Sequence, residues 1–112
     1  VDIHRPENFK SRERMENILT YANKCANTYG LPVKMLKFPG TSKYVEEFQL
    51  ELGLVEMIDL LSYKKYLLML HHCKFLILNY TYNYLYLLHT FNKLSYYELQ
   101  INYFDSSTII NF

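Results

Sequence analysis

The sequence predicts an α/β protein with a small parallel sheet flanked by helices, and three observations support this class. Apolar runs alternate with helical patterns in the order β-α-β-α-β-α-β over residues 1–78. Every Gly and Pro lies in this part, where they mark turns. The fourth apolar run, residues 75–78, is uninterrupted, as is typical of a buried parallel strand. We therefore expect right-handed crossovers and a partial Rossmann-like sheet.

The first two strands are predicted at residues 1–4 and 31–38, with a helix between them. Ser11 is the expected N-cap of this helix, and Gly30 followed by Pro32 marks its end. Helical spacing predicts one apolar face, formed by Met15, Ile18, Leu19, Ala22 and Ala26.

The remaining elements follow in the same alternation. A turn is predicted at residues 39–42, a helix at 42–52 and a strand at 54–58. Ser62 is the expected N-cap of a last helix that runs to about Cys73. The inward residues of the two helices are predicted to be Val45, Phe48 and Leu52 in the first, and Tyr66, Leu67, Leu70 and Cys73 in the second.

The composition excludes several classes of protein. The formal net charge is +1 and no basic residues are interleaved with the tyrosines, so we expect no nucleic-acid partner. Cys25 and Cys73 form no spaced disulfide framework and no secretory signal opens the chain, which predicts a reduced, cytoplasmic setting. No cofactor is expected. His71, His72 and Cys73 are adjacent on a predicted helix and point about 100° apart, so no metal site is expected.

The composition changes near residue 79. Residues 1–78 contain 20 of the 23 charged residues, whereas residues 79–112 contain seven tyrosines and no Gly or Pro. This change predicts a half-domain at 1–78 and a divergent, irregular or helical tail at 79–112. Residues 75–92 lack Asp, Glu, Lys and Arg, but their Asn, Thr, His and Tyr side chains would need partners in lipid, so no membrane partner is expected.

The candidate site lies at the beginning of the chain. The alternating residues 1–4 lead into an imidazole, His4, and a guanidinium, Arg5, at the carboxyl end of a predicted strand. Ligands of open α/β sheets bind outside these strand ends. Arg5 suits a phosphate group, and His4 supplies a donor or a base near neutral pH. Glu7 and Asn8 are expected to shape the loop and cap backbone donors.

The motif His-Arg-x-Glu-Asn after a strand resembles the start of the C-terminal half of the non-hydrolysing UDP-N-acetylglucosamine 2-epimerases. Four later segments resemble that family in their order and spacing: residues 13–19 (ERLxNIL in the family), 43–48 (KRLEEF), 61–67 (PLGYxxFL) and 75–78 (xxILT). The resemblance covers residues 1–78 and implies a glycosyltransferase-B-like C-terminal domain. It also implies that His4 and Arg5 contact the diphosphate of a UDP-sugar.

The sequence departs from the family at two functional positions. The family's second strand ends in His-Pro-Arg, where this chain has Phe38-Pro39-Gly40. The family's Asp-Ser-Gly-Gly-x-Gln-Glu-Glu loop binds the diphosphate and the ribose, whereas residues 79–86 contain neither glycine nor carboxylate. The catalytic acids of the family belong to an N-terminal domain that this sequence does not contain. We therefore expect a C-terminal-domain fragment with no catalytic residues of its own.

The resemblance implies a UDP-N-acetylglucosamine 2-epimerase-like protein that is inactive as this chain. The family's reaction inverts C2 of the sugar by elimination of UDP to a glycal and re-addition. Binding of UDP-sugars is expected to be weak or lost. The alternative is a non-catalytic nucleotide-sugar-binding remnant, or a subunit that docks with a separate N-terminal epimerase half or forms a homodimer. A membrane-associated or structural small protein is the third alternative.

Overall fold

The chain folds into two compact units, Val1–Asp59 and Leu60–Phe112. The structure, a computed structural model, describes residues 1–81, 84–90 and 96–102, with side chains described for residues 1–74, 76 and 77. The division between the units lies between Asp59 and Leu60, and the composition change at residue 79 lies inside a strand of the second unit.

The first unit is a small α/β domain, as the sequence predicts. Its helices and strands in chain order are α1 (Pro6–Phe9), α2 (Arg12–Tyr29), β1 (Val33–Leu36), α3 (Pro39–Glu47) and β2 (Val55–Ile58). Strands β1 and β2 pair in parallel, with Val33 opposite Val55 and Leu36 opposite Ile58. The arrangement is consistent with part of a Rossmann-like fold.

The predicted first strand is reduced to a single bridging residue, Asp2. The Val1 amino group donates to the Lys34 carbonyl at 2.6 Å, and the Leu36 N–H donates to the Val1 carbonyl at 3.1 Å. In a parallel pair of strands, one residue hydrogen-bonds to two residues of the neighbouring strand that lie two positions apart, as Val1 does here. The chain start therefore runs alongside β1 in the same direction as β1 and β2.

Helix α2 supplies much of the core of the first unit. The Ser11 hydroxyl accepts a hydrogen bond from the Arg14 N–H, and Gly30 ends the helix with a φ of 61°, so both predicted caps are confirmed. All five residues of its predicted apolar face are buried, together with Tyr21 and Cys25. The helix packs against both strands, and the core there includes Met35, Leu36 and Val55.

The third helix begins earlier and ends earlier than the sequence pattern indicates. The predicted turn at residues 39–42 is the first turn of α3, because Pro39 occupies the first helical position and its φ is already helical. The helix ends at Glu47, since Gln49 has a φ of 51°, outside the helical range. Leu52 therefore lies in the connection to β2, and its predicted place on the helix is wrong.

The second unit contains a helix and an antiparallel sheet. Its elements are α4 (Tyr63–His72), β3 (Phe75–Thr81), β4 (Tyr84–Thr90) and β5 (Tyr96–Asn102), and the strand order is β3-β4-β5. The prediction of residues 75–78 as a fourth parallel strand is wrong, and so is the irregular or helical tail. Only two residues separate β3 from β4, which suits a hairpin, whereas a parallel crossover needs roughly a dozen residues.

Helix α4 has the predicted N-cap but not the predicted buried face. The Ser62 hydroxyl accepts a hydrogen bond from the Lys65 N–H at 3.3 Å. None of the ten residues of α4 is buried. Tyr66, Leu70 and Cys73 are half-buried, whereas Leu67 is exposed, so its predicted inward position is wrong.

Candidate functional site

The predicted site residues lie at the carboxyl edge of the small parallel sheet. Because the chain start runs parallel to β1 and β2, His4 follows its strand segment just as Phe38 follows β1 and Asp59 follows β2. Ile3, immediately before His4, is fully buried. The Thr41 hydroxyl, also fully buried, donates a hydrogen bond to the Ile3 carbonyl. This bond ties the first turn of α3 to the backbone that presents His4.

His4 is oriented by two neighbours. Its Nδ1 atom lies 2.7 Å from Oδ1 of Asp2, a carboxylate that is mostly buried. The imidazole also lies against the Phe38 ring, with the ring centroids 5.6 Å apart at an angle of 54°. About half of the His4 side chain, 51%, stays exposed. In the neutral ring a proton on Nδ1 suits the carboxylate, which leaves Nε2 as an acceptor.

Arg5 lies beside His4 with its guanidinium partly exposed. Its Nε atom is 3.2 Å from Oε1 of Glu7, and 43% of the Arg5 side chain is exposed. The Arg5 carbonyl accepts hydrogen bonds from the Asn8 and Phe9 N–H groups and so begins α1. A bound anion at this guanidinium would share it with the Glu7 carboxylate.

Glu7 and Asn8 occupy the short helix α1. The Glu7 carbonyl accepts a hydrogen bond from the Arg14 guanidinium at 3.0 Å, which links α1 to α2. Asn8 is fully buried. Pro6 at the first helical position lets this single turn form directly after the strand segment.

The segment Phe38-Pro39-Gly40 has a structural role in this chain. Phe38 packs on His4, and Pro39 starts α3. A Cβ atom at Gly40 would overlap the ring of Phe9, so the missing side chain lets α1 pack closely on α3. The segment therefore supplies an aromatic contact to His4 and allows close packing of the two helices.

Sequence reasoning missed Asp2 and Thr41, which position the predicted residues. The signal for Asp2 is present, because residues i and i+2 of an extended segment share a face. Thr41 has no such local signal, since its acceptor is 38 residues away in sequence.

Tyr21 and Cys25 form a buried pair on α2 away from this edge. Burial raises the pKa of the Tyr21 hydroxyl, and the neighbouring Cys25 raises it further. Burial also raises the pKa of the Cys25 thiol, and the neighbouring Tyr21 hydroxyl partly offsets this rise. Both groups are neutral in the folded protein near pH 7, and such a thiol is a poor nucleophile.

Two further sequence expectations concern metals and membranes. Among the side chains that the structure describes, those of residues 1–74, 76 and 77, no three His, Cys, Asp or Glu converge as metal ligands would. His71 and His72 are both exposed. In the same described part of the chain, no helix combines the length and apolarity that crossing a bilayer requires.

Comparisons of this chain with protein-family models, with curated proteins and with solved structures found no match.

Proposed function

We propose that the first unit carries the diphosphate-binding edge of a UDP-N-acetylglucosamine 2-epimerase-like domain, and that it binds UDP weakly without epimerising the sugar. The arrangement that supports this proposal is the position of His4, which is exposed, and Arg5, which is half-exposed, at the carboxyl edge of parallel strands. Such edges are where α/β sheets bind their ligands. The resemblance of residues 1–78 to the family supplies the substrate class.

Each group has a defined part in the proposed binding. The Arg5 guanidinium donates to oxygens of the diphosphate, and its planar fork can engage two of them. His4 donates to the same group from Nε2 when the imidazole is protonated, with Nδ1 held by Asp2. Glu7 opposes binding, because its carboxylate already pairs with Arg5 and repels the anion.

Weak binding follows from the number of contacts. One guanidinium and one imidazole provide a few charge-assisted hydrogen bonds, and association must first offset the loss of translational freedom. We therefore expect a dissociation constant on the order of millimolar. The family's glycine loop has no counterpart, since residues 79–81 belong to β3.

Calorimetric titration of the purified chain with UDP tests the proposal. Binding is expected for the unmodified protein and is expected to be lost in Arg5→Ala. The matched control is Arg12→Ala, because Arg12 is similarly exposed and also pairs with a glutamate, Glu16 at 3.3 Å. Arg14 is a poorer control, since its contact with the Glu7 carbonyl supports α1. Equal loss in both variants would contradict the assigned site.

The absence of epimerisation is tested separately. Proton NMR of UDP-N-acetylglucosamine incubated with the chain in D₂O should show neither the manno epimer nor deuterium at C2. The reason is that removal of the C2 proton and loss of UDP need acids and bases that the family places on its N-terminal domain. Turnover by this chain alone would contradict the proposal.

A further inference from the structure

Large apolar side chains are exposed together on and beside α4. Leu60 is 49% exposed, Tyr63 78%, Leu67 45% and Leu68 51%. Leu60 lies three residues before the helix, and none of the helix's own residues is buried. A solvated helix that exposes this much apolar surface is unusual unless the surface meets a partner.

The charges on the same segment have a single sign. The exposed side chains of α4 include Lys64 and Lys65, and Lys74 follows the helix. His71 and His72 at its end are exposed as well. From residue 60 to residue 97 the chain contains no Asp or Glu. The first unit, by contrast, has both signs distributed along it. The surface of α4 therefore complements a partner that is anionic.

We propose that α4 docks this chain onto an anionic lipid surface, with Leu67 and Leu68 entering the headgroup layer and Lys64 and Lys65 pairing with lipid phosphates. Helices with apolar and basic residues bind membrane interfaces in this way without spanning them. This role is independent of UDP binding, which involves the first unit. It also differs from the spanning segment that the sequence argues against.

The spacing of the side chains favours lipid over other partners. Lys64 and Leu68 are one helical turn apart, and so are Tyr63 and Leu67, so basic and apolar groups are interleaved on the exposed surface. A headgroup layer offers phosphates and hydrocarbon within the reach of one lysine side chain, which can extend to the phosphates while its stem stays in apolar surroundings. Tyrosine also suits the boundary between headgroups and hydrocarbon.

A second copy of this chain suits the surface less well. Two-fold symmetric dimers bring the same patch of each subunit together. Such an interface would gather Lys64 and Lys65 of both copies, and residues 60 to 97 supply no Asp or Glu to neutralise them. Lipid phosphates supply that neutralising charge.

Flotation of the purified chain with vesicles tests the proposal, since bound protein rises with the vesicles whereas aggregates sink. The vesicles are phosphatidylcholine alone or phosphatidylcholine with about one-third phosphatidylserine, in low and in high salt. We expect flotation with the anionic vesicles only, weakened by salt. Lys64→Gln/Lys65→Gln should reduce the partition coefficient roughly tenfold or more, because each lysine near an anionic surface contributes to binding.

The contribution of the apolar side chains of α4 is tested with a separate variant and control. Leu67→Ser/Leu68→Ser should abolish flotation, whereas Leu54→Ser should not, because Leu54 is similarly exposed but lies in the first unit. Lys10→Gln/Lys43→Gln is the matched charge control. Three outcomes would overturn the proposal: equal flotation with both vesicle types, binding to soluble polyglutamate in place of vesicles, or a dimer in solution that Leu67→Ser/Leu68→Ser dissociates.

Discussion

The Nδ1 atom of His4 lies 2.7 Å from Oδ1 of Asp2, a contact that favours a proton on Nδ1 of the neutral imidazole. Asp2→Ala should shift the neutral His4 ring from the Nδ1–H toward the Nε2–H tautomer, because the acceptor that favours a proton on Nδ1 is removed. The ¹⁵N chemical shifts of the ring report the tautomer. The exposed His72 ring should not change, and an unchanged His4 ring would show that Asp2 does not orient it.

Glu7 should limit the affinity of the chain for UDP. Glu7→Gln removes a carboxylate 3.2 Å from the Arg5 guanidinium, which removes a competing anion from Arg5 and its repulsion of the diphosphate. We expect binding to tighten by about threefold, the scale of an exposed ion pair. Calorimetry with UDP measures the change, and Glu16→Gln, which removes the partner of Arg12, is the control. Weaker binding in Glu7→Gln would contradict the assigned role of Glu7.

Asn23 should be the most sensitive polar residue of α2. Its amide nitrogen donates to the carbonyls of Leu19 at 2.8 Å and Leu52 at 3.0 Å, and its Oδ1 accepts from the Leu54 N–H at 2.7 Å. Asn23→Ala should lower the free energy of unfolding by about 2–3 kcal/mol, because these backbone groups lose partners. Urea denaturation measures this loss. Asn27→Ala, at an exposed position of the same helix, should change the stability by less than about 0.5 kcal/mol.

Two glycines with almost the same φ should respond differently to alanine. Gly30 has a φ of 61° and open space at its Cβ position, so Gly30→Ala should cost about 1 kcal/mol from backbone strain. Gly53 has a φ of 58°, and a Cβ there would overlap Oδ1 of Asn23. Gly53→Ala should therefore destabilise the chain more than Gly30→Ala in urea denaturation. The excess should shrink in an Asn23→Ala background, and an unchanged excess would show that its cause lies elsewhere.

The stability of the chain should fall at alkaline pH because of Cys25 and Tyr21. Burial raises the pKa of the Cys25 thiol from 9.0 and that of the Tyr21 hydroxyl from 10.0. Above these ordinary values the unfolded chain releases protons that the folded chain keeps, so unfolding becomes more favourable as the pH rises. The free energy of unfolding should stay level up to about pH 8 and decline above about pH 9.

Urea denaturation between about pH 7 and pH 10 measures this dependence. Cys25→Ala should flatten the first part of the decline, since it removes the group with the lower ordinary pKa. Cys73→Ala is the control, because Cys73 is only half-buried. A decline of the same steepness in Cys25→Ala would assign the effect to other groups.

Local sequence signals were sufficient to predict the features that are stabilised by residues close together in the sequence. The Ser11 cap, the Gly30 end and the apolar face of α2 follow from hydrogen bonds and spacing within one or two helical turns, and the structure confirms them. The placement of His4 and Arg5 after a short extended segment was also predictable from local alternation, whereas the parallel pairing of that segment with β1 joins Val1 to Lys34, far along the chain. The diphosphate role of these two residues stays a prediction, because it comes from resemblance.

Only the tertiary structure decided which strands pair and which groups orient the site. The apolar run at residues 75–78 is compatible with either sheet type, and its antiparallel pairing with β4 follows from the two-residue connection to that strand. The Thr41 bond to Ile3 joins residues far apart in sequence. Helical spacing could not predict the exposure of Leu67 either. Periodicity shows which residues share a face of the helix, but it does not show whether another element covers that face.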